Sequence, residues 1–228
     1  MMNNQAITRQ IGGLTVKERV PDGPGPHPFI LMLHGWTGDE NSMWVFASRL
    51  PENCWLAAPR APYPSPLGGF SWRDESHTTV PGNNSARRWT MISDYLPAVQ
   101  LLLDLLQPEN FPGADLSQVS LVGFSQGGAM SYALAMMNPE RVRLIAGLST
   151  FLPGGAEPLV LRVPLLDKPV FVAHGTQDKL VPVEIARRSV EQLEQAGANV
   201  AYCENDVGHK LGADCFCALE NFFLQHHP

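Results

Sequence analysis

From Phe29 onward the chain alternates short, nearly continuous apolar runs with stretches whose apolar residues recur at helical spacing. Few architectures accept that alternation. Parallel strands need long crossovers, and helices that fill those crossovers cover both faces of the sheet. The runs Phe29 to Leu33, Trp55 to Ala58, Val119 to Val122, Arg143 to Leu148, Pro169 to Ala173 and Val200 to Glu204 read as such strands, apolar on both sides of the pleat. Leu14 to Val20, before the turn-rich Pro21-Asp22-Gly23-Pro24-Gly25-Pro26, reads as an antiparallel edge strand. Helix-like stretches fill the gaps at Ser42 to Leu50, Arg87 to Leu106, Ser125 to Met137, Val183 to Ala196 and Ala213 to Gln225. Pro97 should kink the second or mark its true start, because proline lacks the backbone donor and clashes with the preceding turn. The expectation is an α/β fold in one domain over residues 1–228, a mostly parallel sheet with helices on both faces and no large lid.

Charge and composition remove several classes of function. A formal net charge of -6 and a pI near 5.6 leave no basic stripe for nucleic acid. The pairs Arg87-Arg88 and Arg187-Arg188 read as solvated faces or local ion pairs. No run approaches the roughly 18 apolar residues that span a bilayer, and Val99 to Leu106 is interrupted by Gln100 and Asp104, so stable membrane insertion is not expected. Met1 to Gly13 lacks the layout of a secretory signal. The four scattered cysteines, Cys54, Cys203, Cys215 and Cys217, read as reduced thiols of a cytoplasmic protein. Cys215 and Cys217 lie two apart in a helical pattern and point to different faces, which argues against a metal site.

One segment names an attacking atom. Gly123-Phe124-Ser125-Gln126-Gly127-Gly128 follows the apolar run Val119 to Val122 and opens a helix-like stretch, the strand–turn–helix setting of a nucleophile elbow. A serine hydroxyl attacks poorly at neutral pH, so it needs a base and an acid that orients the base. Asp178 follows the strand Pro169 to Ala173 in His174-Gly175-Thr176-Gln177-Asp178, and His209 follows the strand Val200 to Glu204 in Asn205-Asp206-Val207-Gly208-His209. His174, at a strand end before glycine, reads as a buried support for the Asp178 loop; His27, His77, His226 and His227 read as surface residues. The tetrahedral intermediate also needs donors for its oxyanion. The backbone N–H of Gln126, at a helix N-terminus, and that of Trp36, in the glycine-rich His34-Gly35-Trp36-Thr37-Gly38-Asp39 loop, are the candidates.

Taken together, these four ordered motifs resemble the phospholipase/carboxylesterase family of serine hydrolases, over about Phe29 to Phe223. The resemblance implies an α/β-hydrolase fold, a triad of Ser125, Asp178 and His209, and hydrolysis of carboxylic or thio esters without a cofactor. Two positions depart from the thioesterase-like members, Trp36 after the first His-Gly pair and Arg73 in Trp72-Arg73-Asp74. The safer reading is a serine carboxylesterase acting on small, short- to medium-chain esters, with an acyl-thioesterase, a lysophospholipase or a non-catalytic binding protein as alternatives and with monomer or homodimer left open. Trp36, Phe70, Trp72, Arg73, Leu180 and Val181 are the expected substrate-contacting residues, with Phe151 and Leu152 nearby.

Overall fold

The computed structural model describes residues 5–76 and 90–227. His77 and Arg87-Arg88 lie outside the described residues, as does the first part of the long helix expected from Arg87. The chain opens with a hairpin, β1 (Ile7–Ile11) and β2 (Leu14–Arg19), turned by Gly12 and Gly13, both at positive φ. The Gly-Gly pair supplies the left-handed backbone that a two-residue hairpin requires. β2 is therefore not the edge strand expected from sequence. It pairs antiparallel with β1 on one side and with β4 (Trp55–Pro59) on the other, and β1 takes the edge.

The remaining strands of this sheet, β3 (His27–Leu33), β7 (Ala114–Phe124), β8 (Val142–Leu148), β9 (Pro169–Gly175) and β10 (Asn199–Asn205), all run parallel, giving the order β1-β2-β4-β3-β7-β8-β9-β10. A two-stranded ribbon of β5 (Tyr63–Pro64) and β6 (Phe70–Ser71) stands apart. Pleating divides the apolar runs between two cores. On β3, Phe29, Leu31 and Leu33 join one cluster, while Ile30 and Met32 join the other. Both clusters are needed to bury a strand that is apolar at every position.

Helices α1 (Leu96–Leu105), α2 (Gln126–Met137) and α4 (Val183–Gln195) feed the first cluster, and α5 (Ala213–His226) closes the second. Pro97 sits in the first turn of α1, where its missing N–H costs nothing, so it marks the start of the helix and does not kink it. Ser42 to Leu50 is not a continuous helix but two short 3₁₀ turns, Ser42–Val45 and Ala47–Arg49. In the long loop from Ser149 to Asp167 the chain forms a single turn of helix, α3 (Glu157–Val160). Met130 and Leu134 of α2 are fully buried and the partly buried Met137 packs against the same core cluster, in keeping with a purely structural role.

Two cysteine expectations need correction. Cys203 on β10 and Cys215 on α5 form a disulfide, 12 residues apart in sequence, while Cys54 and Cys217 stay free. Spacing gave no hint of this pair, because it is the crossing of α5 over β10 that brings the two residues together. His227 is also not a surface residue. It is buried, its Nε2 lies 2.8 Å from Ser120 Oγ and its ring stacks on Phe223.

Candidate active site

Because β3, β7, β9 and β10 run parallel, the residues after each of them collect along one edge of the sheet, where open α/β folds place their ligands. Ser125 follows β7 directly and is the N-cap of α2, with φ 53° and ψ -117°. A non-glycine residue there is strained. The surroundings hold it: Ser125 N–H donates to Leu148 O at 2.8 Å, and Ser125 O accepts from Gly128 N, Ala129 N and Thr150 Oγ1 at 2.6 Å. The glycines of the elbow have steric reasons to be glycine. A Cβ on Gly127 would meet Leu33 O at 2.0 Å, and one on Gly123 would meet Gly127 O at 2.3 Å.

The loops of Asp178 and His209 are built as one unit. Thr176 N–H and Gln177 N–H donate to Asn205 O and Val207 O, and the side chains of both residues donate to Asp206. A Cβ on Gly175 would strike Gly208 O at 2.2 Å, so this close approach also depends on glycine. Asp178 is buried; its Oδ1 accepts the N–H groups of Leu180 and Val181 at 2.8 and 2.9 Å, and its Oδ2 accepts His209 Nδ1–H at 2.6 Å. The carboxylate is thus fixed by two backbone donors and spends its second oxygen on the imidazole. On the far side the His209 ring packs on Phe124, the residue before Ser125, with centroids 5.0 Å apart. His174 supports this loop as expected, buried with its Nε2 donating to Val181 O at 2.8 Å, and burial lowers its pKa.

The loop after β3 lies against the elbow. A Cβ on Gly35 would sit 3.4 Å from Ser125 Cβ. Thr37 holds a positive φ of 67°, and its N–H donates to Phe70 O while Phe70 N–H donates to Gly38 O. Gln126 contributes more than its backbone: its Oε1 accepts Trp72 N–H at 2.9 Å and its Nε2 donates to Ser71 Oγ at 3.0 Å. Among the described residues, the backbone N–H groups of Trp36 and Gln126 have no acceptor.

Several expected substrate contacts are relocated. Trp72 is wholly buried and donates its indole N–H to His34 O at 2.8 Å, so it underpins the loop and does not line a pocket. Arg73 pairs with Glu75 at 3.2 Å, and Trp36 Nε1 donates to the same Glu75 carboxylate at 3.0 Å. Val181 is buried and serves Asp178 through its backbone, whereas Leu180 is exposed. Phe70 is half-buried beneath the Arg60 guanidinium, 4.6 Å from the ring centroid. Thr150, Ser71 and Glu75 were not anticipated. Thr150 follows β8 and could have been found by asking what ends the strand next to the elbow; the other two lack a pattern.

The family model described as phospholipase/carboxylesterase matches residues 19–227. The chain belongs to that family. With a serine on the elbow it is a serine hydrolase of the α/β-hydrolase fold. It is 29% identical over 167 residues to an acyl-protein thioesterase 1 of Cryptococcus neoformans, covering 71% of this chain and 68% of that protein. It is 29% identical over 196 residues to a probable inactive carboxylesterase of Oryza sativa, covering 81% of this chain and 77% of that protein. Among solved structures, the esterase PE8 superimposes with a TM-score of 0.79 at 20% identity, covering 93% of this chain and 99% of that one, a likeness of fold. Among the described residues, no helix is long and apolar enough to cross a membrane and no histidine, cysteine and carboxylate cluster could hold a metal ion.

Proposed function

We propose that the protein is a serine carboxylesterase that hydrolyses small, short- to medium-chain esters through an acyl-enzyme. The observation that carries this reading is the 2.6 Å bond from His209 Nδ1 to an Asp178 carboxylate already held by two amides, in a loop unit packed on Phe124 beside Ser125. With Nδ1–H committed to Asp178, Nε2 of the neutral imidazole keeps its lone pair for the serine proton. Ser125 Oγ attacks the ester carbonyl, and His209 takes the proton. The carbonyl oxygen becomes an oxyanion, stabilised by the Trp36 and Gln126 amides and by the N-terminal end of α2. Collapse of the intermediate expels the alcohol, protonated by His209, and leaves the acyl group on Ser125. Water, deprotonated by His209, attacks next and releases the acid. Trp36, Phe70 and Leu180 form the apolar rim of the acyl side, and Arg73, neutralised by Glu75, is held back from the substrate as a free charge.

A second reading, a thioesterase acting on acyl-proteins, draws on the relatives that bear that name. Both readings use the same reacting groups. Initial rates on oxygen esters and thioesters of equal acyl length separate them: the esterase reading requires higher kcat/KM on the oxygen esters of short and medium chains. Higher kcat/KM on long-chain thioesters would give the assignment to the second reading. A wild-type protein that neither hydrolyses either series nor reacts with a fluorophosphonate would contradict both and leave a binding protein.

A further inference from the structure

His34 is the first residue after β3 and is fully buried, and no step of the proposed reaction uses its ring. Its hydrogen bonds allow only one tautomer. Ala61 N–H donates to Nε2 at 3.0 Å, so Nε2 carries a lone pair. The ring proton is therefore on Nδ1, which donates to Gly35 O at 2.7 Å. Gly38 N–H reaches the same carbonyl at 3.0 Å. A Cβ at Gly38 would come within 2.8 Å of Nδ1, so the space for this bond is kept by a glycine.

The carbonyl so held belongs to the peptide whose N–H is that of Trp36. In a trans peptide C=O and N–H point in opposite directions, and this bond is trans. With its oxygen turned toward the buried ring and Gly38, the peptide directs the Trp36 N–H the other way. A glycine before that peptide lets it rotate at little steric cost, so something must select one orientation. We propose that His34 is a positioning residue, whose Nδ1–H locks the Gly35–Trp36 peptide so that the Trp36 N–H faces the oxyanion. This inference rests on the reading of the Trp36 amide as an oxyanion donor. Burial keeps the ring neutral, which preserves the Nε2 lone pair and the tautomer.

Two amide variants divide the ring's functions. In His34→Asn the side-chain nitrogen can take the place of Nδ1 and still donate to Gly35 O; in His34→Gln the oxygen can take the place of Nε2 and still accept from Ala61, without a donor for Gly35. The expected result is that His34→Gln loses about 10²–10³ in kcat on a nitrophenyl ester with KM changed by less than about threefold, as for removal of one oxyanion donor. His34→Asn should stay within about tenfold of wild type, whichever variant melts lower. Equal losses in the two variants, or a His34→Gln enzyme with wild-type kcat, would overturn the assignment. Long-range proton–nitrogen spectra of the wild type test it without a variant: His34 must appear as the Nδ1–H tautomer, and an Nε2–H tautomer overturns it. Wild-type labelling by a fluorophosphonate, lost in Ser125→Ala, keeps the wider reading standing even when His34 fails; absent labelling would remove that reading itself.

Discussion

Gly35 stands against Ser125 so closely that a Cβ on the glycine would lie 3.4 Å from the serine Cβ and 3.1 Å from Phe124 Cδ1. The loop after β3 and the elbow after β7 thus meet at a point with little room for a methyl group. Gly35→Ala is expected to fold, because its backbone is not left-handed and the contacts are only a few tenths of an ångström too tight. It should lose roughly tenfold to hundredfold in kcat/KM by displacing the loop from Ser125. Steady-state kinetics beside a melting curve checks this; unchanged kinetics would separate the loop from the reaction.

Asp178→Asn tests the orienting role of the acid. The amide can keep Oδ1 on the Leu180 and Val181 N–H groups, but it can offer His209 Nδ1 a donor where a carboxylate accepted. The imidazole is then turned into the wrong tautomer. The same change in a serine protease drops kcat about 10⁴-fold, and a loss of that order at unchanged circular dichroism is expected here.

The disulfide brackets the loop that carries His209. Reduction of Cys203–Cys215 releases a segment of sequence separation 12, for which chain entropy gives about 2–3 kcal/mol of stability. Thermal melting with and without dithiothreitol should show that loss in the wild type. Cys203→Ser should melt at the lower temperature under both conditions, insensitive to reductant.

Acid should destabilise the fold through His227. Burial, with help from Arg143 and His226, lowers its pKa from 6.5 to about 4. The unfolded chain therefore takes up a proton that the folded one refuses, and stability present above pH 6.5 is lost as pH falls toward 4. The upper bound is about 3 kcal/mol, reduced by whatever solvent screening reaches the ring. Urea unfolding across that window should show a shallower pH dependence for His227→Gln, whose amide retains a bond to Ser120 without titrating. An equally steep profile would assign the acid sensitivity to other groups, among them His34 and His174, whose pKa values burial also lowers.

What sequence reasoning could and could not reach follows from the range of the interactions involved. Parallel strands such as Pro169–Gly175 are apolar from Pro169 to Ala173, and each candidate residue follows a strand end, so Ser125, Asp178 and His209 could be picked out from local pattern. Trp72 was not. Its motif position suggested a pocket wall, but its indole N–H finds the His34 carbonyl across 38 residues, and only the fold reveals that partner. The same holds for Cys203 with Cys215, and for His227 with Ser120, 107 residues apart. The first hairpin failed for a different reason: Gly12-Gly13 is a strong turn signal, but polar residues such as exposed Thr8 and half-buried Arg9 mask the strand before it.

In the proposed reaction Ser125 is the nucleophile and His209 makes it reactive. Mass spectrometry of the intact protein and its peptides after exposure to a fluorophosphonate reads this out. A single adduct on the peptide containing Ser125 is predicted, absent in Ser125→Ala and slowed by orders of magnitude in His209→Ala. An adduct on another residue, or wild-type labelling that His209→Ala leaves unchanged, would contradict it.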